Sequence, residues 1–116
     1  MNFLIVSADP WSAVLADRLR QQNVIVQVEE SSDGVTSPRF DLVIVDGGRD
    51  DWLEIARRAI RMGYRVILAA NNHSQANEAR SAFLFDAFLK SDAAGRWSIE
   101  QILSAGRSSI TWRRGT

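Results

Sequence analysis

Residues 40–48 read FDLVIVDGG: four apolar residues between Asp41 and Asp46, then two glycines. An unbroken Leu-Val-Ile-Val run is the pattern of a strand covered on both faces, as in a parallel sheet, because a half-exposed strand would alternate with polar residues. Asp46 then stands where the strand leaves the core. A carboxylate there is either the strand's polar terminus or a reactive group, and the rest of the chain has to decide between the two.

Similar runs recur at Phe3–Val6, Val24–Val28, Val66–Ala70 and Ala87–Leu89, predicting five parallel strands. Between the first two lies DPWSAVLADRLRQQN, with Asp9 as candidate N-cap, Pro10 at the first helical position, and Trp11, Val14, Leu15 and Leu19 at helical spacing. After Asp46, RDDWLEIARRAIRMG has an acidic start, an apolar stripe of Leu53, Ala56 and Ile60 with Ile55 and Ala59 beside it, and Gly63 as a stop. Glu54 and Arg58 are spaced to pair on its surface. HSQANEARSAF predicts a third helix with Ser74 as cap and Ala76, Ala79 and Phe83 inward. SIEQILSAG predicts a fourth, opened by a capping box from Ser98 to Gln101. EESSDGVTSPR, between strands two and three, is turn chemistry around Gly34 and Pro38, too short and polar for a full helix.

At 116 residues the chain fits one domain, divided here into a folded unit over 1–106 and a basic tail or linker over 107–116. Fourteen basic residues balance fourteen acidic ones, so no global field draws the protein to nucleic acid or an anionic membrane. The absence of cysteine excludes disulfides and thiolate chemistry, and the single His73 cannot build a histidine metal site. No run approaches the roughly 20 apolar residues of a membrane span, and the start lacks the basic region of a signal peptide. A cytoplasmic location is the expectation.

Strand and helix in this alternation give an α/β three-layer sandwich with a five-stranded parallel sheet and a shortened second helix, and right-handed crossovers limit its topologies to a few, among them the flavodoxin-like order 2-1-3-4-5. In that order strands one and three are neighbours, and ligands sit beyond their carboxyl ends. Asp46 ends strand three there, while Ser7, Ala8 and Asp9 end strand one.

The pieces FLIVSADP, FDLVIVD, RVILAAN and DAFLKS, in this order and spacing, resemble the receiver domain of bacterial two-component response regulators, the CheY-like fold, over nearly the whole chain. The resemblance implies that Asp46 occupies the position phosphorylated by a histidine kinase in a phosphorelay, and that Lys90 is the family's lysine. It also shows departures. The family's Mg²⁺-holding acidic pair falls on Ser7 and Ala8, with Asp9 one place late. The hydroxyl residue of strand four falls on Ala70, the aromatic of strand five on Ala87, and the proline after the lysine on Ser91.

Phosphoryl transfer to a carboxylate gathers anions, and catalysis there is mostly neutralisation by a metal and a lysine. With one acid left in the crevice and Asp9 a substitute ligand at best, a Mg²⁺ site on Asp46 and Asp9 should be weak or absent, so no cofactor is expected. Asp46 and Lys90 can instead form a neutral pair. The expected function is a signal-transduction module, a pseudo-receiver that is no enzyme and acts by protein–protein interaction independently of phosphorylation. The alternative is a receiver phosphorylated on Asp46. Partners implied are a histidine kinase, an output domain, or a second copy through the face of the family's fourth helix, fifth strand and fifth helix, where Phe83, Phe85 and Phe88 fall. Gly47 and Gly48 read as a phosphate-cradling loop or, more commonly, a mobile connection. Trp11 and Trp52 flank the crevice mouth or pack on their own helix starts. Arg57, Arg58, Arg61 and Arg65 read as a solvated basic edge. No G-x-G-x-x-G or Walker lysine supports a nucleotide enzyme.

Overall fold

The structure is a computed structural model of the chain and describes residues 1–31, 40–82, 86–93 and 95–107, without the side chains of 96 and 97. Its elements are β1 (Asn2–Val6), α1 (Pro10–Arg20), β2 (Ile25–Glu29), β3 (Leu42–Asp46), α2 (Trp52–Arg61), β4 (Arg65–Ala70), α3 (His73–Ala82), β5 (Asp86–Leu89), a 3-10 turn (Lys90–Asp92) and α4 (Arg96–Arg107). The strands form one parallel sheet of order β2-β1-β3-β4-β5. This is the flavodoxin-like, CheY-like α/β sandwich that the strand pattern allows and the resemblance implies. The region read as a shortened second helix, 32–39, and Phe83 and Phe85 lie outside the described residues, as does the tail beyond Arg107, which itself completes α4.

Period-two alternation sends each strand's side chains to two cores. Phe3, Ile5, Leu42, Ile44, Ile67 and Phe88 pack under Leu15 and Leu19 of α1 and Ile102 and Leu103 of α4. Leu4, Val6, Val43, Val45, Val66 and Leu68 pack under Ile55, Ala56 and Ala59 of α2 and Ala76 and Ala79 of α3. All five residues of β3 are buried, which is why its sequence shows no alternation. Each large aliphatic there contributes roughly 1.5–3 kcal/mol of burial free energy.

The edge strand β2 is different. Val26 is buried, but Ile25 is 69% exposed, so this strand is covered on one face only along its first residues. Arg20 closes its margin by donating to the Val26 carbonyl at 2.8 Å. At the opposite edge Arg80 of α3 and Gln101 of α4 both reach the Ala87 carbonyl, at 2.8 and 3.5 Å. Guanidinium groups on edge carbonyls discourage strand addition from outside.

Several local expectations are corrected. Asp9 holds the N-cap position of α1 as expected, but without a side-chain cap: its carbonyl takes the Ser12 N–H at 3.1 Å, and the Ser12 hydroxyl donates to that carbonyl too. Val14 is 52% exposed, and Ser12 and Ala16 take the inward places beside Leu15 and Leu19. On α2 the buried centre is Ile55, Ala56 and Ala59, with Leu53 and Ile60 on the flanks. The α3 cap is Asn72, whose Oδ1 accepts the Gln75 N–H at 2.9 Å; Ser74 is already inside the helix. Ser98 is likewise inside α4, whose Ile99 N–H bonds the Gly95 carbonyl, so Ser98 and Gln101 form no capping box. Gly63 ends α2 with φ +88°, where glycine carries no Cβ penalty. Phe88 is 1% exposed and belongs to the core, so it is no part of a docking face. Arg65 starts β4 and pairs with Asp86 at 3.6 Å, and Arg58 pairs with Glu54 at 3.4 Å. No helix among the described residues is long and apolar enough to cross a membrane.

Candidate functional site: a closed acid–base pair at the carboxyl edge of the sheet

The register of the sheet decides which polar residues meet. Val6 faces Val45 across the β1–β3 pair, so the next residues, Ser7 and Asp46, are neighbours on the α1/α4 side of the sheet. Ala70 faces Leu89 across β4–β5, so Asn71 and Lys90 come next on that same side. Four strands thus place four polar side chains at one edge, each one step beyond the last apolar residue.

Asp46 is 2% exposed, yet both its oxygens are occupied. Oδ2 accepts the Ser7 hydroxyl at 2.7 Å, and Oδ1 accepts the Gly48 N–H at 2.7 Å and forms a salt bridge with Lys90 Nζ. Burial by itself pushes the carboxyl up. The Lys90 ammonium, the Ser7 hydroxyl and the Gly48 N–H together outweigh it and hold Asp46 below the usual carboxylate range. Asp46 is therefore an anion with three donors, and the pair it forms with Lys90 is neutral.

Lys90 is the chain's only lysine. Besides Asp46 its ammonium donates to Asn71 Oδ1 at 2.7 Å and stands 5.8 Å from the centre of the Trp11 ring, within cation–π range. Trp11 in turn sets its edge against Phe88, with centroids 6.4 Å apart. The tryptophan that opens α1 thus covers the lysine, while Trp52 lies half-buried against the core of the other face.

Both glycines are held by hydrogen bonds. Gly47 donates to the Ala69 carbonyl at 2.8 Å, and its own carbonyl accepts from Gln75 Nε2 at 2.8 Å and Asn71 Nδ2 at 3.1 Å. A Cβ on Gly47 would lie 2.3 Å from Gln75 Oε1 and 2.8 Å from the Ala69 oxygen; on Gly48 it would lie 2.7 Å from Lys90 Nζ. Close approach selects glycine here, with no positive φ at either position. Neither glycine offers a phosphate cradle, since the Gly48 N–H is spent on Asp46.

Of the residues read from the sequence, the fold brings Asp46 and Lys90 together and leaves Asp9 exposed at the start of α1. Ala70 and Ala87 are buried in the core of the α2/α3 face. Ser7, Asn71 and Gln75 complete the site without having been singled out as its members, and Gly48, read as half of a glycine loop, joins it through its N–H on Asp46. Ser7 was legible only as a missing acid, whereas its hydroxyl, which also accepts the Asp9 N–H at 3.0 Å, is a working donor to Asp46. Arg49, the next cation, is turned away to Asp51 at 2.9 Å and to the Glu30 carbonyl at 2.6 Å.

These residues do not fit Mg²⁺. One carboxylate with both oxygens occupied and a lysine in contact is a poor donor set for a hard dication that asks for several oxygens. Among the described residues no group of three His, Cys, Asp or Glu side chains is gathered as a metal site.

No protein-family model matches this chain, and no curated protein does. Among solved structures it is similar to a fusion protein carrying amino acids 181–211 of the yeast Spc42 trimeric coiled coil. That likeness has a TM-score of 0.67 and 16% identity, covering 98% of this chain and 79% of that one. At such identity it shows the fold alone.

Proposed function

We propose that this chain is an atypical receiver, a regulatory module that acts by binding another protein and does not depend on phosphorylation of Asp46. The observation that carries the reading is the occupancy of Asp46: Ser7, Gly48 and Lys90 fill both carboxylate oxygens. To attack a phosphoryl donor, the carboxylate would have to present a free oxygen while cations neutralised the incoming anion. The one lysine is already spent on the carboxylate itself. Ser7 stands where a second acid would raise the charge of the crevice and call for a metal. What remains is an ion pair that supports the fold and needs no cation.

A protein partner suits such a module better than a small ligand, since the crevice is closed by its own side chains. Arg20 and Arg80 each occupy one carbonyl on an edge strand, which disfavours strand addition and favours the helix surfaces, α3 and α4 among them, as the contact surface. Incubation with Mg²⁺ and either acetyl phosphate or beryllofluoride tests the reading, followed by intact mass or ¹⁹F NMR. The expected result is no adduct on Asp46. A stoichiometric adduct that disappears in Asp46→Asn would establish the phosphorylated receiver instead.

A further inference from the structure

A continuous run of polar contacts leaves the charge pair and ends on a helix. Lys90 Nζ donates to Asn71 Oδ1 at 2.7 Å. Asn71 Nδ2 donates to the Gly47 carbonyl at 3.1 Å, and the Asn71 N–H donates to Gln75 Oε1 at 2.8 Å. Gln75 Nε2 returns to the same Gly47 carbonyl at 2.8 Å, and the Gln75 N–H is held by the Asn72 cap. Gln75 lies in the first turn of α3, whose Ala76 and Ala79 are buried against the sheet. Both ends of the Asn71 amide and both ends of the Gln75 amide are therefore used; the bonds to Lys90 and Gly47 join segments far apart in the chain, and the bond of Gln75 to the Asn71 N–H spans four residues.

We propose that Asn71 and Gln75 form a tether that couples the Asp46–Lys90 pair to the first turn of α3, so that loosening either end loosens the other. Without Gln75 the start of α3 would be held by its cap and its buried alanines alone. Without Asn71 the lysine would have no contact that leads toward α3. A coupling free energy acts equally in both directions, so a change at the helix must register at the lysine. The inference rests on reading Asp46 and Lys90 as a standing pair; it does not depend on what the module binds or on whether Asp46 accepts a phosphoryl group.

Lys90, as the only lysine, gives a chemical readout of its own end. Its acylation rate under limiting N-hydroxysuccinimidyl acetate is followed by peptide mass spectrometry in the whole chain. The comparison covers wild type, Gln75→Ala, Asn71→Ala and the double variant. Neither changed residue touches Asp46, and both lie at the surface or half-buried, so the fold is retained; circular dichroism verifies this. Gln75→Ala should raise the Lys90 rate about five-fold, the worth of one hydrogen bond of ordinary strength. The same change made on top of Asn71→Ala should add less than about two-fold, because the link is already cut. Hydrogen exchange at the amides of 75–77 should quicken in Asn71→Ala. An unchanged Lys90 rate in Gln75→Ala, or an equal increment in both backgrounds, would overturn the tether. An adduct on Asp46 with acetyl phosphate, by contrast, would overturn only the functional reading.

Discussion

Replacing Lys90 by Met removes the cation and keeps most of the aliphatic stem. Asp46 would then be a buried anion with the Ser7 hydroxyl and the Gly48 N–H but no counter-charge. Breaking a buried pair from one side costs about 3–5 kcal/mol. The two remaining donors place this site at the lower end, and loss of the Trp11 contact adds about 0.5 kcal/mol. The expected loss is about 3 kcal/mol, a large part of the 5–15 kcal/mol that holds a typical domain together. Urea unfolding followed by circular dichroism avoids the tryptophan beside the mutated residue. With a slope of about 1.5 kcal/mol/M the midpoint should fall by about 2 M. Adding Asp46→Asn, which keeps an acceptor for Ser7 and removes the stranded charge, should recover about 2 kcal/mol in the double variant. A midpoint for Lys90→Met within about 0.3 M of wild type would refute the claim that the pair is buried and energetically coupled.

Because Asp46 titrates lower in the folded chain than its unfolded value near 3.9, its contribution is fully present above about pH 5 and is lost as pH falls through the folded value. Lys90→Met should therefore be least harmful at the acid end, which urea midpoints across pH would reveal. Ser7→Asp sets a second carboxylate against Asp46 and should cost about 2 kcal/mol in the absence of divalent ions. Thermal melts should show millimolar Mg²⁺ restoring that variant and leaving wild type unmoved; equal stabilisation of both would speak against the metal-independent site. Gly48→Ala forces a methyl to within 2.7 Å of the Lys90 ammonium and should cost about 1–2 kcal/mol while quickening Lys90 acylation. Gly47→Ala should cost more, since the Ala69 backbone oxygen at 2.8 Å cannot swing aside.

The sheet was legible because each inner strand is covered on both faces and therefore apolar at every position, as Leu42 to Val45 are. Parallel crossovers left a few strand orders open; the resemblance to receiver domains singled out the one observed, and with it implied the meeting of Asp46 and Lys90. β2 departed from the pattern because an edge strand has a free side, so Ile25 sits in solvent. Ser74 and Ser98 are good capping residues by type, but which residue caps depends on where the first turn closes, and tertiary packing sets that; Asp9 does hold the N-cap position of α1, though its carbonyl rather than its carboxylate takes the Ser12 N–H. The site's polar partners were hidden differently. Ser7 and Asn71 are ordinary loop residues in the sequence, and only inter-strand register puts Ser7 beside Asp46 and Asn71 beside Lys90. Gln75 stands three residues after the Asn72 cap, the spacing of a capping box, but its side chain reaches past the cap to the Asn71 N–H and the Gly47 carbonyl, which that spacing does not foretell.

The most direct measurement is the ¹³C titration of the Asp46 carboxyl in the intact chain, with and without millimolar Mg²⁺. A standing pair with Lys90 predicts a midpoint below the ordinary aspartate range that magnesium leaves in place. A midpoint at or above that range, or one that moves when the metal is added, would contradict it.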